Sequence, residues 1–184
     1  SELKSETTAT VGTLVDVQDN VTLAAAGDLS IGTTTVLDVT TSVTGGSVGA
    51  LGVAKFRSAT TATVNETLTF GSGARLSSDG DLRLTAGEHA AAATPGRMNL
   101  AATVDGWIGG AITAISVETP ATLKHTSSVT FGADADVTST GRMRIAAETA
   151  APTMENKGVV TYYDITNLWG LTDVFGWSDG FKES

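Results

Sequence analysis

Residues Thr60–Ala86 read TTATVNETLTFGSGARLSSDGDLRLTA, and the pattern they carry occurs three times in the chain. Upstream, TTATVGTLVDVQDNVTLAAAGDLSIG spans Thr7–Gly32 and aligns on it without a gap at an offset of 53, Gly80 minus Gly27. Downstream, Ala111–Ala150 aligns on Ala50–His89, again without a gap, at an offset of 61, Gly141 minus Gly80. Identities are few, nine of 26 positions in the first pair, in a chain with 31 Thr and 21 Gly. The argument therefore rests on hydrophobic columns that persist where letters change. They are Val15/Val17, Leu68/Phe70 and Val129/Phe131; Leu23, Leu76 and Val137; and Leu29/Ile31, Leu82/Leu84 and Met143/Ile145. Self-similarity at a fixed period of this size marks a stacked repeat architecture.

Within the middle copy the alternation predicts short strands over Thr67–Phe70, Ala74–Ser77 and Asp81–Ala86. Leu68, Phe70, Ala74, Leu76, Leu82 and Leu84 fall on one face. Thr67, Thr69, Arg75, Ser77 and Arg83 fall on the other, the period-two signature of a half-buried strand. Gly71-Ser-Gly73 and Ser78-Asp-Gly80 supply corners. Short strands and short corners suggest triangular turns of about 20 residues each. A hairpin reading stays open through Asp79-Gly80, a two-residue turn dipeptide. Between the copies lie Gly-rich segments, Thr41–Lys55 and Thr103–Ser116, read as buried strands whose glycines allow close backbone approach.

Composition narrows function. With 11 basic and 20 acidic residues the formal charge is −9, which disfavours nucleic acid and anionic lipid as partners. No cysteine is present, so there is no disulfide framework, thiolate nucleophile or Cys-based zinc site. No run of apolar residues is long enough for a membrane-spanning helix, and membrane insertion is not expected. Ser1–Glu6 is a polar lead-in that reads as the start of a fragment or a mature product.

The order VGALGVAKF, SATTATV, TFGSGARLSSDGDLRLTAG (Val48 to Gly87) resembles the β-solenoid repeats of large bacterial exoproteins, the filamentous-haemagglutinin-like and autotransporter-like adhesins. The matching residues are Gly71, Gly73, Ala74, Leu76, Gly80, Asp81, Leu82, Leu84 and Ala86. Weaker echoes are Gly132, Ala135, Val137, Gly141, Met143 and Ile145. The resemblance covers about residues 7–150. It implies a right-handed parallel β-helix that is extracellular or on the cell surface, elongated and non-enzymatic. The spacing of 53 and then 61 departs from the usual family and leaves room for protruding loops, placed at residues 33–48 and 88–97.

The expected organisation is a lead-in over 1–6, β-solenoid repeats over 7–155 (about 7–57, 58–119 and 120–155), and an aromatic-rich cap over 156–184. Six of the ten aromatic residues fall in 162–181. A cap there would cover the open end of the stack, with a short helix expected over Asp164–Phe175.

Candidate chemistry is sparse. Trp107, Tyr162, Tyr163, Trp169 and Trp177 are the candidate ligand or assembly surface, with carbohydrate as the ligand for stacked aromatics, weighed against burial in core or cap. Asp79/Asp81 and Asp134/Asp136 have the i, i+2 spacing of a shared face but are read as solvated turn acids, and no metal or cofactor is expected. His89 and His125 are placed on the surface. Arg83, Arg142 and Arg144 are read as an outward basic column neutralising acidic neighbours. Thr8-Ala-Thr10 and Thr61-Ala-Thr63 set paired hydroxyls on one flat face, a spacing seen in ice-binding solenoids, but the third copy reads Pro120-Ala-Thr122-Leu-Lys124.

The expected fold is all-β, a right-handed β-solenoid of three degenerate repeats with an aromatic C-terminal cap. The expected role is a non-enzymatic structural or adhesive module. Its partners would be adjacent repeats of a longer chain or identical subunits. The alternatives are a polysaccharide-binding or polysaccharide-cleaving β-helix, and a self-assembling filament subunit.

Overall fold

The computed structural model describes residues 2–48, 51–87, 97–110, 112–149 and 152–163. Every regular element among them is a strand. The first layer holds β1 (Glu2–Val17), β2 (Thr22–Ala25), β3 (Leu29–Thr33) and β4 (Val36–Val48). The second holds β5 (Leu51–Phe70), β6 (Arg75–Ser78), β7 (Leu82–Ala86) and β8 (Arg97–Gly109). The third holds β9 (Ile112–Glu118), β10 (Ala121–Phe131), β11 (Asp136–Ser139), β12 (Met143–Ala147) and β13 (Thr153–Tyr163).

Each layer lies on the next in parallel and in the same order. The four sheets are β1-β5-β10 with β9 also on β5, β2-β6-β11, β3-β7-β12 and β4-β8-β13. The offsets read from the sequence are the strand registers. Thr7 faces Thr60, Leu23 faces Leu76 and Ile31 faces Leu84 at 53. Phe131 faces Phe70, Val137 faces Leu76 and Ile145 faces Leu84 at 61. The change of offset has one source. Thr33 faces Ala86 at 53, but Val36 faces Arg97 at 61, so the second layer carries eight extra residues between β7 and β8.

One layer therefore consumes 53 to 61 residues, and turns of about 20 residues are not what the chain forms. The strand expected over Thr67–Phe70 is the last part of β5, which runs 20 residues. The reason lies in its inward positions. Along β5 these are Ala54, Phe56, Ser58, Thr60, Ala62, Val64, Glu66, Leu68 and Phe70, all buried. Ser58, Thr60 and Glu66 interrupt the apolar alternation that defines a strand in sequence. β9 and β10 are the equivalent of β5 broken at Thr119-Pro120, where proline removes a ladder donor. Its carbonyl still accepts from Thr60 N at 2.9 Å.

Residues 33–48, expected as a protruding loop, are instead largely β4, with Leu37, Val39, Thr41 and Val43 buried. Its glycines serve close approach, as the Gly-rich segments predict. A Cβ on Gly46 would lie 2.1 Å from Trp107 Cε2, and one on Gly45 would lie 2.8 Å from Leu3 Cδ1. Burial is on one face only, because Asp105 and Trp107 point outward from β8. The cap boundary at 156 falls inside β13, and the helix expected over Asp164–Phe175 lies outside the described residues.

Three apolar clusters fill the interior. Leu68, Phe70, Leu76, Leu82 and Leu84 form one, Ala62, Val64, Met98 and Leu100 the second, and Phe56, Val43, Val104 and Ile108 the third. Buried polar seams separate them. Between the second and third, Thr60 Oγ1 donates to Ala101 O (2.7 Å) and lies 2.8 Å from Thr41 Oγ1, and Ser58 Oγ donates to Thr41 O at 2.9 Å. The other seam, between the first and second clusters, is built on Glu66.

The described part is a thin plate. At about 4.8 Å per strand three layers stack to roughly 14 Å, whereas 20 residues of strand extend about 65 Å. Its long dimension follows the strands, not the stacking axis.

Candidate functional site

A buried polar cluster joins β5, β10 and the β3–β4 and β12–β13 connections. Glu66 stands at an inward position of β5 with its side chain wholly buried, and His125 stands at an inward position of β10 with 2% of its side chain exposed. His125 Nε2 lies 2.7 Å from Glu66 Oε2. The other carboxylate oxygen, Oε1, accepts from Thr35 Oγ1 at 3.0 Å, and Thr35 in turn meets Thr13 Oγ1 at 3.2 Å. Ser127 Oγ is 3.1 Å from His125 Nε2 and donates to Glu148 O at 2.6 Å.

Serine, histidine and a carboxylate thus meet, and their geometry decides against a nucleophilic triad. Such a triad needs the serine on one imidazole nitrogen and the acid on the other. Here both contact Nε2. The Ser127 hydrogen is committed to the Glu148 carbonyl, so Nε2–H is shared between Glu66 and the Ser127 oxygen. The cluster is a hydrogen-bonded plug that satisfies a buried carboxylate. Gly87, with φ 76°, completes it: a Cβ there would lie 3.0 Å from Glu66 Oε2 and 2.6 Å from Ser127 Oγ. His125 is therefore an interior residue, not a surface one. Its partner Glu66 stands 59 residues away in sequence, a contact that no local pattern shows. His89 lies outside the described residues.

The outward face of the β1-β5-β10 sheet carries the organised surface. At one end Lys4, Arg57 and Glu118 form a column. Lys4 pairs with Glu6 at 2.9 Å, Arg57 with Glu6 at 3.5 Å, Lys55 with Glu118 at 3.5 Å, and Arg57 directly with Glu118. The Lys4 hydrogen bond holds the Glu6 carboxyl below the usual carboxylate range, and the Arg57 hydrogen bond does the same for Glu118. Glu118 in turn raises Arg57. Next along the strands come the columns Thr8/Thr61/Thr122 and Thr10/Thr63/Lys124. An open cleft of about 250 Å³ lies where charges and hydroxyls meet, lined by Glu6, Arg57, Thr8, Thr61 and Thr122.

The aromatic candidates divide. Trp107 is 43% exposed and lies over Gly46, on the surface and not in the core. Tyr162 and Tyr163 stand opposite Ile108 and Gly109, so three candidates share one end of the β4-β8-β13 sheet. Trp169 and Trp177 lie outside the described residues.

Of the candidate acids, Asp79, Asp81 and Asp134 are at corners, and Asp136 opens β11 in register with Arg75. Asp134 has φ 58°, Asp81 Oδ1 accepts from Arg142 N at 2.8 Å, and Asp28 Oδ1 accepts from Asp81 N at 2.8 Å. Among the described residues no group of three or more His, Cys, Asp or Glu is placed to hold a metal. Arg83 and Arg144 stack in register, and Arg144 pairs with Glu148. Comparison with protein-family models, curated proteins and solved structures returns no match.

Proposed function

We propose that the chain is a right-handed β-solenoid serving as a structural or adhesive module of a bacterial extracellular or surface protein, without catalytic activity. The observation that supports it best is the register: each of four strands returns onto its own equivalent twice, in parallel, three of them at 53 and then 61 residues and the fourth at 61 and then 54. Handedness, location and the adhesive role rest on the resemblance of Gly71–Ala86 to exoprotein repeats. A structural role also accounts for where the polar groups go. The buried Ser, Thr, His and Glu bond to one another and to backbone carbonyls, and the outer charges pair across layers. Among the described residues, the columns Thr8/Thr61/Thr122 and Thr10/Thr63/Lys124 offer a ligand a hydroxyl-rich surface.

Small-angle X-ray scattering at low concentration tests the reading. A flat particle with a longest dimension of about 65 Å is expected from the strand lengths. A radius of gyration near the ~16 Å of a compact 184-residue globule would overturn it. Release of reducing or unsaturated ends from a panel of acidic polysaccharides would overturn the non-enzymatic part.

A further inference from the structure

We infer that the third layer of one molecule receives the first layer of a second copy, so that the chain stacks head to tail into an open fibre. The inference rests on the solenoid reading above.

Among the described residues every sheet ends at both faces of the plate, with β1 to β4 as one set of edge strands and β9 to β13 as the other. Long, flat edges of this kind are templates for a further strand. The inner apolar columns stop at the outer layers in the same sense. Leu84, in the middle layer, is fully buried because Ile31 covers it on one side and Ile145 on the other. Ile145 occupies the same column and is 44% exposed. A fourth layer would bury it.

The chemistry of the two faces says which layer that is. Continuing each column by one step sets the first layer of a copy on the third layer of its neighbour, in parallel and in register. Ile31 then falls on Ile145. Two columns bring charge onto charge. In one, Lys4 and Arg57 are followed by Glu118, and the copy's Lys4 comes next. In the other, Asp28 and Asp81 are followed by Arg142 at the same offsets of 53 and 61, and the copy's Asp28 comes next. Both contacts are of opposite sign, and among the described residues no like charges meet. Within the chain, by contrast, Lys4 lies beside Arg57 and Asp28 beside Asp81. Each column thus ends in the charge that its own first residue requires. A head-to-tail contact built on translation does not close, so it generates a filament, not a ring.

The test uses the full chain. Sedimentation and scattering are followed from micromolar to millimolar concentration, and any fibres are examined by diffraction. The expected result is particles that lengthen with concentration, with a subunit rise of about 14 Å and a strand repeat of about 4.8 Å along the fibre. Ile145→Glu and Arg142→Glu are each expected to hold the chain as a monomer, while Arg142→Lys lengthens like the unaltered protein. Ile145 is half exposed in the single molecule, so circular dichroism of Ile145→Glu should match the parent. A chain that remains monomeric throughout overturns the inference. If amides of β12 are then protected from exchange, its own residues 164–184 are the occupant. Association that both Glu variants leave intact also overturns it, because another surface is then in use. The solenoid reading fails separately, through a globular particle at the lowest concentration.

Discussion

His125 Nε2 lies 2.7 Å from Glu66 Oε2, with 2% and 0% of the two side chains exposed, 59 residues apart in sequence and one layer apart in space. The pair is expected to behave as a buried contact whose loss is asymmetric. His125→Ala leaves a carboxylate in the interior with Thr35 as its remaining side-chain donor, and should cost about 3–5 kcal/mol. Replacing both residues with Leu removes the buried polar groups together and should cost less than the His125→Ala change alone. Urea midpoints of the single and double variants measure this. A loss of under about 1 kcal/mol for His125→Ala would show that the contact is not formed.

The column Ile31/Leu84/Ile145 offers the same shape in three degrees of cover. Leu84 is wholly buried, so Leu84→Ala should cost about 2–5 kcal/mol through lost contacts and the cavity left behind. Ile145, 44% exposed, loses less on truncation, and Ile145→Ala should cost roughly half as much. Both are read from chemical denaturation at a concentration where the chain is monomeric. Equal costs would mean that the third layer is already covered.

These two contacts also mark what the sequence could and could not disclose. Residues 67–86 alternate cleanly, their corners carry Gly, and β6 and β7 fall where the pattern puts them. The offsets of 53 and 61 are visible because the in-register columns conserve side-chain type. Alternation, however, is a local signal and is silent on which strand is the neighbour. Short strands with short corners are equally compatible with small turns, and only the long strands β1, β4, β5 and β8 make the layer large. Those strands were hidden by their own interiors. Ser58, Thr60, Glu66 and His125 are inward residues, the first two bonded to Thr41 and the Ala101 carbonyl and the last two to each other, and a pattern built on apolarity stops at each of them. The Gly45-Gly46 pair hid β4 in a different way, since glycine reads as a corner unless the ring of Trp107 is known to lie over it.

A corner supplies the third prediction. Gly73 and Asp134 are aligned at the offset of 61, and Asn20 precedes Gly73 by 53, and all three adopt positive φ: 58°, 69° and 58° in chain order. Asn, Gly and Asp are the residues that tolerate this region. Asp134→Gly is therefore expected to be near neutral, whereas Asp134→Val should cost about 1–2 kcal/mol through the clash of a branched Cβ. Thermal denaturation of the two variants gives the comparison. A Val variant as stable as the Gly variant would mean that the corner relaxes to negative φ.

The charged end of the β1-β5-β10 sheet sets a pH dependence. Glu118 titrates below its ordinary range because Arg57 hydrogen-bonds it, with Lys55 adding to the effect, and Glu6 does so chiefly through Lys4. A carboxyl whose folded pKa is depressed stabilises the native state at pH values above its unfolded pKa. That contribution fades as pH falls through the ordinary carboxylate range and is gone below the folded value. Both groups lie at the surface, so the effect is screened and should shrink further in high salt. Melting temperature should therefore fall on acidification from neutral pH, with a shallower fall in Glu118→Gln, whose side chain no longer takes up that proton. The difference between the two curves should narrow at molar salt. Parallel curves for the variant and the parent across the acidic range would show that the Arg57–Glu118 pair contributes nothing to the stacking of β9 on β5.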